Sequence, residues 1–449
     1  MINITFSKKY SEEKHYIISV IFQQFLGLEV TILEGDHQDF VIEVENGKQL
    51  IVRDMFFARV PDYPGYLSVD YIPEKVVFAK NRFTPEEDIP VIYGTDELVE
   101  LPEKLVCGID IFASSFFMLT RWEEYAREIR DRYQRFPASA SLAYRFGFLD
   151  RPVVNEYVEM LWNMLQHLGV GQRRKIRHFE MMVTHDVDHT QFSNVKQLVR
   201  IMGGDLLKRK NPGMAIRKVY EYIQVNRGKQ RDPFDTFDYL MDISEKYNLR
   251  SRFYFMSGGE TIHDNNYSVW SPNTLRIFQR IKDRGHVIGF HPSFNSYNNA
   301  ALWKLEKERL EQAVGMPVSE GRQHYLRFEV PATWRIWNNE RMQLDSTLGY
   351  ADREGFRCGC CYGYPVFDIL ERSQMKLIEF PLIVMEDTFV SYQRMNPVKM
   401  LNKILFLISK VKKYQGVFVL LWHNSSFHLP MWQNYTRVYE QILDLSCND

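Results

Sequence analysis

The alternation of short apolar segments with helical segments after residue 178 is the feature that most constrains the fold of this chain. Six apolar segments predict strands: Glu180–Thr184, Ser251–Met256, Val287–Phe290, Gln323–Arg327, Leu377–Phe380 and Gly416–Trp422. Helices are predicted between several of them, including Phe234–Tyr247 and Pro272–Arg284. This pattern is typical of a βα-type domain, in which functional side chains collect at the carboxyl ends of the strands.

The part of the chain before residue 170 mixes both element types and predicts a smaller α/β domain. Its expected elements are a helix at Glu12–Leu26, strands at Leu28–Leu33, Phe40–Glu45 and Leu50–Arg53, and helices at Phe112–Glu128 and Val154–Leu168. A length of 449 residues also favours two domains, because a single hydrophobic core seldom serves a chain of that size. We therefore predict an N-terminal accessory domain at residues 1–170 and a second domain at residues 178–449, joined by a basic linker.

The composition argues against several classes of protein. The near balance of 56 Lys and Arg against 57 Asp and Glu does not favour a nucleic-acid partner. Five cysteines are too few for a disulfide framework, and Cys358-Gly-Cys360-Cys361 lacks a second Cys or His pair at zinc-finger spacing. We expect reduced thiols, and we expect the surrounding segment, Gly355–Asp368, to be a loop. Neither a signal-peptide pattern nor an apolar window of spanning length occurs, so a cytoplasmic location is expected.

Four polar clusters stand at predicted strand ends, and their order is more informative than any one of them. They are THDVDH at 184–189, GFHPSFN at 289–295, RQHYLR at 322–327 and LLWHN at 420–424. Residues two apart in a strand share a face, so Asp186 and Asp188 are expected to point into one site. Two such carboxylates repel each other unless a metal or an arginine offsets their charge. The alternative is that they cap a helix, with Arg322 as a surface partner and His291 and His423 as packing residues.

The order of these clusters resembles the NodB-homology polysaccharide deacetylases of carbohydrate esterase family four. Their first motif carries two aspartates, the second His-(Ser/Thr)-x-x-His, the third an arginine and the last Leu-x-His. The wording of the motifs is closer still to the WbmS-like branch found in bacterial surface-polysaccharide gene clusters. The resemblance covers about residues 180–430, and DIFASSFFMLTRWEEY at 110–125 resembles the domain that accompanies this branch. It implies a deformed (β/α) barrel of the polysaccharide deacetylase type, preceded by a smaller α/β domain.

The resemblance also implies a role for each matching residue. By position, Asp186 corresponds to the general base and Asp188 to the metal-binding aspartate, displaced by one residue from the usual adjacent pair. His291 corresponds to the first histidine ligand. Arg322 corresponds to the arginine that holds the catalytic aspartate, and His423 to the general acid.

The second motif departs from the family at Asn295, where the family has its second metal histidine. An amide oxygen is neutral and hard, and is therefore a poor ligand for zinc. Two residues could supply the missing third ligand: either His324 completes the site from a neighbouring strand, or Asn295 binds a harder metal through its oxygen. His185 and His189 are expected to point away from the two carboxylates, because side chains alternate along a strand. The expected cofactor is a divalent metal, Zn²⁺ first, with Co²⁺, Ni²⁺ and Mn²⁺ as alternatives.

Residues beside the motifs predict where a substrate binds. Our candidates for substrate binding are Tyr325, Arg327, Trp422 and Asn424. An insertion at residues 196–231 holds ten Lys or Arg residues against two acids, and is expected to emerge on the catalytic face. We expect it to meet the phosphate of a lipid-linked sugar at a membrane surface or of a nucleotide sugar, although a solvated helical hairpin would show the same charges.

These expectations combine into one functional prediction. The chain is predicted to be a metal-dependent hydrolase that removes an N-acyl group, acetyl first, from an amino sugar or a sugar-containing intermediate of surface-polysaccharide synthesis. The alternatives are an amidohydrolase of another C–N bond and a non-catalytic glycan-binding relic.

Overall fold

The computed structural model describes residues 1–191, 223, 224, 227, 232–264, 267–427 and 431–447. The chain divides into two compact units. The first comprises Met1–Glu180, Tyr325–Thr388 and Phe406–Val419, and the second comprises Met181–His324, Phe389–Leu405 and Leu420–Asp449. The predicted division at residues 170–178 stays a prediction, because the first unit also takes in two later segments. The predicted basic insertion at 196–231 lies outside the described residues, apart from residues 223, 224 and 227.

Seventeen strands are described, and they form three sheets. They are β1 (Ile2–Ser7), β2 (Val30–Gly35), β3 (Phe40–Glu43), β4 (Gln49–Val52), β5 (Val77–Ala79), β6 (Ile89–Val91), β7 (Gly94–Leu101), β8 (Lys104–Ile109), β9 (Glu180–Val187), β10 (Arg252–Phe255), β11 (Val287–Phe290), β12 (Glu320–Gly321), β13 (Leu344–Asp345), β14 (Tyr364–Asp368), β15 (Ser373–Glu379), β16 (Leu382–Met385) and β17 (Val417–Leu421). The first sheet has the order β2-β1-β3-β4-β8-β7, and β5 pairs with β6 alone. The nine-stranded sheet has the order β14-β15-β13-β12-β11-β10-β9-β17-β16.

Eleven α-helices are described between these strands. They are α1 (Ser11–Ile18), α2 (Ile111–Thr120), α3 (Trp122–Ala126), α4 (Leu142–Arg145), α5 (Val153–Leu168), α6 (Phe237–Lys246), α7 (Pro272–Asp283), α8 (Ala300–Val314), α9 (Ala332–Asn339), α10 (Pro397–Lys413) and α11 (Thr436–Cys447). The fold is thus a mixed α/β fold, as the sequence predicts. None of the helices in the described part of the chain combines the length and the apolar composition needed to cross a bilayer.

Three of the four predicted motifs lie on or directly after β9, β11 and β12, which run in parallel with β10 in the second unit. β10 pairs in parallel with β9 and with β11, and β11 pairs in parallel with β12. Their residues are largely buried, and β9 is buried from Met181 to Val187, which is typical of a parallel strand covered on both faces. Because the strands are parallel, the residues that follow them emerge at one edge of the sheet.

Two predicted elements are wrong. Gln323–Arg327 is not a strand: a 3₁₀ turn occupies His324–Leu326, and Tyr325 (φ 61°) and Leu326 (φ 54°) have left-handed backbones that cannot continue an extended strand. The predicted loop Gly355–Asp368 ends in β14, which pairs antiparallel with β15. Its cysteines, Cys358, Cys360 and Cys361, are buried, as passive small apolar side chains are.

Candidate metal centre

Asp186 lies near the carboxyl end of β9 and is paired with a buried arginine. Arg322 follows β12 directly, and its Nη1 donates to Asp186 Oδ1 at 2.9 Å and to Thr184 Oγ1 at 2.9 Å. Both members of the ion pair are almost completely buried. A buried carboxylate needs such a partner, because the interior solvates its charge poorly. The pair fixes one oxygen of Asp186 and leaves the other, Oδ2, 3.8 Å from His291 Nε2.

Asp188, His291 and His324 form a group of side chains that could hold a metal ion. His324 Nδ1 lies 2.8 Å from His291 Nε2, and Asp188 Oδ1 lies 3.7 Å and 3.8 Å from these two nitrogens. The circle through the three atoms has a radius of about 2.0 Å, close to the 2.0–2.2 Å at which zinc binds imidazole nitrogen and carboxylate oxygen. The three atoms are therefore spaced as ligands of one small cation.

The hydrogen bonds on the far side of the two rings decide which nitrogens carry a proton. His291 Nδ1 lies 2.6 Å from the carbonyl oxygen of Arg322, and His324 Nε2 lies 2.8 Å from that of His263. A carbonyl only accepts, so these nitrogens carry the protons and the facing nitrogens, in neutral rings, present lone pairs. Two lone pairs at 2.8 Å repel unless a cation, either a metal ion or a proton, lies between them. A backbone carbonyl behind each ring is also the usual outer partner of a metal-binding histidine.

The electrostatics of the group favour a bound cation. Burial lowers the pKa of His291 to about 4, so its ring is neutral and available as a ligand at neutral pH. Burial by itself would raise the pKa of Asp188, but the positive charge that the rings of His324, His423 and His291 carry when they are protonated lowers it below its usual value. Asp188 Oδ1 is buried without a hydrogen-bond partner among the described residues. Such an atom is destabilising unless an ion satisfies it, so the residues present fit a divalent metal.

His423 lies at the accessible side of this group. Its Nε2 is 3.9 Å from Asp188 Oδ2, and its side chain is 17% exposed, whereas that of His291 is 1% exposed. His423 follows β17, and the carbonyl of the preceding Trp422 accepts a hydrogen bond from His185 Nδ1 at 2.7 Å. The ring can therefore meet both the group and solvent.

The structure does not bring every predicted residue into this cluster. Asn295, the alternative third ligand, has an exposed side chain in a turn after β11. His185 is buried and its Nε2 lies 3.2 Å from Ser251 Oγ, while the ring of His189 stacks on Phe234 at 5.0 Å. Of the two candidate third ligands, His324 lies with Asp188 and His291 in the group that could hold a metal ion.

The predicted substrate residues are placed as follows. Trp422 is fully buried and its Nε1 donates to Ser426 O, and Asn424 Nδ2 donates to His189 O at 2.7 Å and to Phe234 O at 3.1 Å. Tyr325 and Arg327 belong to the first unit, where the carbonyl of Tyr325 accepts from Arg135. Their roles in substrate binding stay predictions, as do the catalytic roles of Asp186, Arg322 and His423.

Two groups that hydrogen-bond to residues of the site, the hydroxyl of Thr184 and the carbonyl of His263, are absent from the sequence-based predictions. Thr184 stands inside the first quoted motif and its hydroxyl accepts from Arg322, so it could have been found there. The carbonyl of His263 has no such signal, because any residue supplies a carbonyl.

Comparisons with known proteins describe the two parts of the chain differently. Residues 2–170 match the model of a family of unknown function, DUF7033. No curated protein sequence matches the chain. Among solved structures, it is similar to a candidate polysaccharide deacetylase from Mycobacterium smegmatis, at 14% identity and a TM-score of 0.39 over 61% of this chain and 85% of that one.

Two further similar structures have lower scores. A CE4 family pseudoenzyme from Bacillus anthracis matches at 10% identity and a TM-score of 0.30, over 60% of each chain. The catalytic domain of a peptidoglycan N-acetylglucosamine deacetylase from Eubacterium rectale matches at 12% identity and a TM-score of 0.29, over 60% of this chain and 84% of that one. At such scores the similarity assigns no function, and the site residues must carry the argument.

Proposed function

We propose that this chain is a metal-dependent hydrolase that removes an N-acyl group, acetyl first, from an amino sugar or a sugar-containing intermediate of surface-polysaccharide synthesis. The observation that carries the hydrolase proposal is the pair of imidazole nitrogens of His291 and His324, 2.8 Å apart and both backed by carbonyls, beside Asp188. The choice of an N-acylated sugar rests on the order of the four motifs.

A divalent metal held by Asp188, His291 and His324 would supply Lewis acidity, which activates water and polarises an acyl carbonyl. Asp186 is the proposed general base and takes a proton from the attacking water on the oxygen that Arg322 leaves open. Arg322 keeps this carboxylate oriented and charged through its 2.9 Å hydrogen bond. Its position is fixed before substrate arrives, since both groups are buried.

Cleavage of an amide also requires a proton on the departing nitrogen, because an amide anion is a very poor leaving group. His423 is the proposed general acid, because a histidine exchanges protons near neutral pH and this ring is partly exposed beside the group. The proton goes to the amine and the acyl group leaves as a carboxylate.

Metal content tests the centre. Elemental mass spectrometry of purified wild type is expected to find about one zinc per chain, and Asp188→Ala, His291→Ala and His324→Ala are expected to lose it. Asn295→Ala is the matched control, because its side chain is exposed, and it should keep the metal. A wild type without metal after incubation with zinc, cobalt, nickel or manganese would overturn the proposal.

Acetate release tests the reaction. Wild type loaded with zinc is incubated with N-acetylated amino sugars presented as oligomers, as nucleotide sugars and as lipid-linked sugars. We expect acetate from at least one of these classes, and we expect Asp186→Asn to keep zinc but lose about 10²–10⁴-fold in rate. A zinc-loaded protein that releases acetate from none of them would contradict the substrate class and leave the metal centre standing.

A further inference from the structure

The described residues that follow β10, 256–264 and 267, form a segment that contacts all three stretches that carry the proposed metal ligands. The carbonyl of His263 accepts from His324 Nε2 at 2.8 Å. Asp264 Oδ1 accepts at 2.8 Å from the backbone N–H of Phe294, three residues after His291. Tyr267 Oη donates at 2.9 Å to the carbonyl of Val187, next to Asp188. We call this segment the framing loop.

Asp264 organises the framing loop from within. Its Oδ2 accepts from the backbone N–H of Thr261 at 2.8 Å and from the Thr261 hydroxyl at 2.7 Å. The same hydroxyl accepts from the backbone N–H of His263 at 3.1 Å. The carboxylate thus ties together the residues on either side of the His263 carbonyl, and it is buried, with 7% exposure.

The backbone around Asp264 leaves room for this arrangement. Gly259 has φ +100°, a value that side chains rarely permit, and a Cβ there would collide with the Asp264 carboxylate. The ring of His263 also packs against Phe294, with centroids 4.5 Å apart. The loop is therefore held on both sides, by the carboxylate and by the ring pair.

We propose that Asp264 is a positioning residue of the metal centre, which holds the His263 carbonyl where it keeps the proton of His324 on Nε2 and aims Nδ1 at Asp188 and His291. The inference rests on the proposed function, since it concerns the same centre. Asp264 is outside the ligand group and acts through a backbone carbonyl. Outer partners of this kind commonly change metal affinity by about 10–100-fold when they are removed.

Asp264→Asn tests the proposal with almost no change in volume, because an amide has one acceptor and one donor group, and in either orientation the donor group faces the donors of Thr261 or the backbone N–H of Phe294. Thr261→Val is the milder variant, which removes the hydroxyl but leaves the bond from Phe294. Thr274→Val is the matched control: its hydroxyl pairs with that of Ser271 at the start of α7.

Two measurements distinguish a failure of the role of Asp264 from a failure of the proposed function. The first is the tautomer of His324 in the metal-free protein, read from the ring-nitrogen shifts of ¹⁵N-histidine-labelled samples, with His324→Gln giving the assignment. The second is the zinc Kd, by competition with a chromophoric chelator. We expect wild type and Thr274→Val to hold the Nε2–H form and the tight Kd. Asp264→Asn should mix the tautomers and weaken the Kd by about 10–100-fold, and Thr261→Val should do so by less.

Tautomers and Kd values of both loop variants within twofold of wild type would overturn the role of Asp264 and leave the metal centre intact. A wild type that binds no zinc would overturn the proposed function, while the tautomer still tests Asp264. If Asp264→Asn does not fold, Thr261→Val decides: an unchanged tautomer overturns the proposal and a mixed one supports it.

Discussion

At the scale of single residues, the pairing of Asp186 with Arg322 determines how a carboxylate can be kept charged inside the protein. Arg322 is fully buried, and its guanidinium bonds both the carboxylate and the Thr184 hydroxyl. Removing one partner of such a pair leaves the other charge buried and uncompensated, which costs more stability than removing both.

We therefore expect Arg322→Met to lower the free energy of unfolding of the metal-free protein by about 3–5 kcal/mol. The double variant Asp186→Asn, Arg322→Met should be more stable than Arg322→Met alone, because no charge remains unpaired. Denaturant unfolding of wild type and the two variants measures both differences. A double variant that is no more stable than Arg322→Met would contradict the cost of leaving Asp186 unpaired.

A second residue, His185, makes the free energy of unfolding depend on pH. Burial lowers its pKa to about 4, from a usual value near 6.5. The unfolded chain binds a proton on this ring below pH 6.5 and the folded chain does not until about pH 4, so its contribution is full above pH 6.5 and is lost as the pH falls toward 4.

His185→Gln should remove this component, which amounts to about 3 kcal/mol between pH 6.5 and 4. The measurement is the difference in unfolding free energy between wild type and variant at a series of pH values. His178→Gln, which replaces an exposed histidine, is the control. Parallel pH curves for wild type and His185→Gln would rule out the buried neutral ring.

At the scale of elements, the short strand β12 places both Arg322 and His324. It pairs with β11 through Phe290 and Gly321, and a Cβ on Gly321 would collide with the carbonyl of Phe290. The two strands can approach this closely because residue 321 is glycine.

Gly321→Ala should push β12 from β11 and lower stability by about 1–3 kcal/mol, as overpacking does. Thermal unfolding measures the loss, and the same preparation can be assayed for zinc. Gly171→Ala, at an exposed position where a Cβ meets nothing closer than 3.8 Å, is the control and should change stability little. Equal stability of the two variants would contradict the close approach.

The strands and turns around the site show which parts of it could be predicted from the sequence. Val287–Phe290 was predicted with its observed bounds, and the polar residues after parallel strands were expected to meet, because apolar runs and strand-end clusters are local signals. The left-handed pair Tyr325 and Leu326 could not be foreseen, because HYL at 324–326 has neither glycine nor asparagine to indicate a turn. The carbonyl that positions His324 could not be foreseen either, because the fold alone brings it there.

At the scale of the whole molecule, the reactivity of the cysteines reports how well the core excludes solvent. Cys107, Cys358, Cys360 and Cys361 are buried, and burial raises the pKa of Cys107 and of Cys360 to about 12. The thiolate is the reactive form, so these thiols should react slowly in the folded protein.

An aromatic disulfide reagent at pH 8 should therefore label about one of the five thiols quickly, at Cys447, which is partly exposed. Cys447→Ser should abolish the fast phase, and a chemical denaturant should expose all five thiols of the wild type. Fast labelling of two or more thiols in the native protein would contradict the burial of the others.

The origin of the three proposed ligands affects how the protein matures. Asp188, His291 and His324 follow three different strands and lie far apart in the chain. A short stretch can capture an ion while the polypeptide is still unfolded, but three separate strand ends cannot. In the proposed centre, an ion would therefore be held only after synthesis has completed β12 and folding has aligned it with β9 and β11, so metal loading would be a late step of folding.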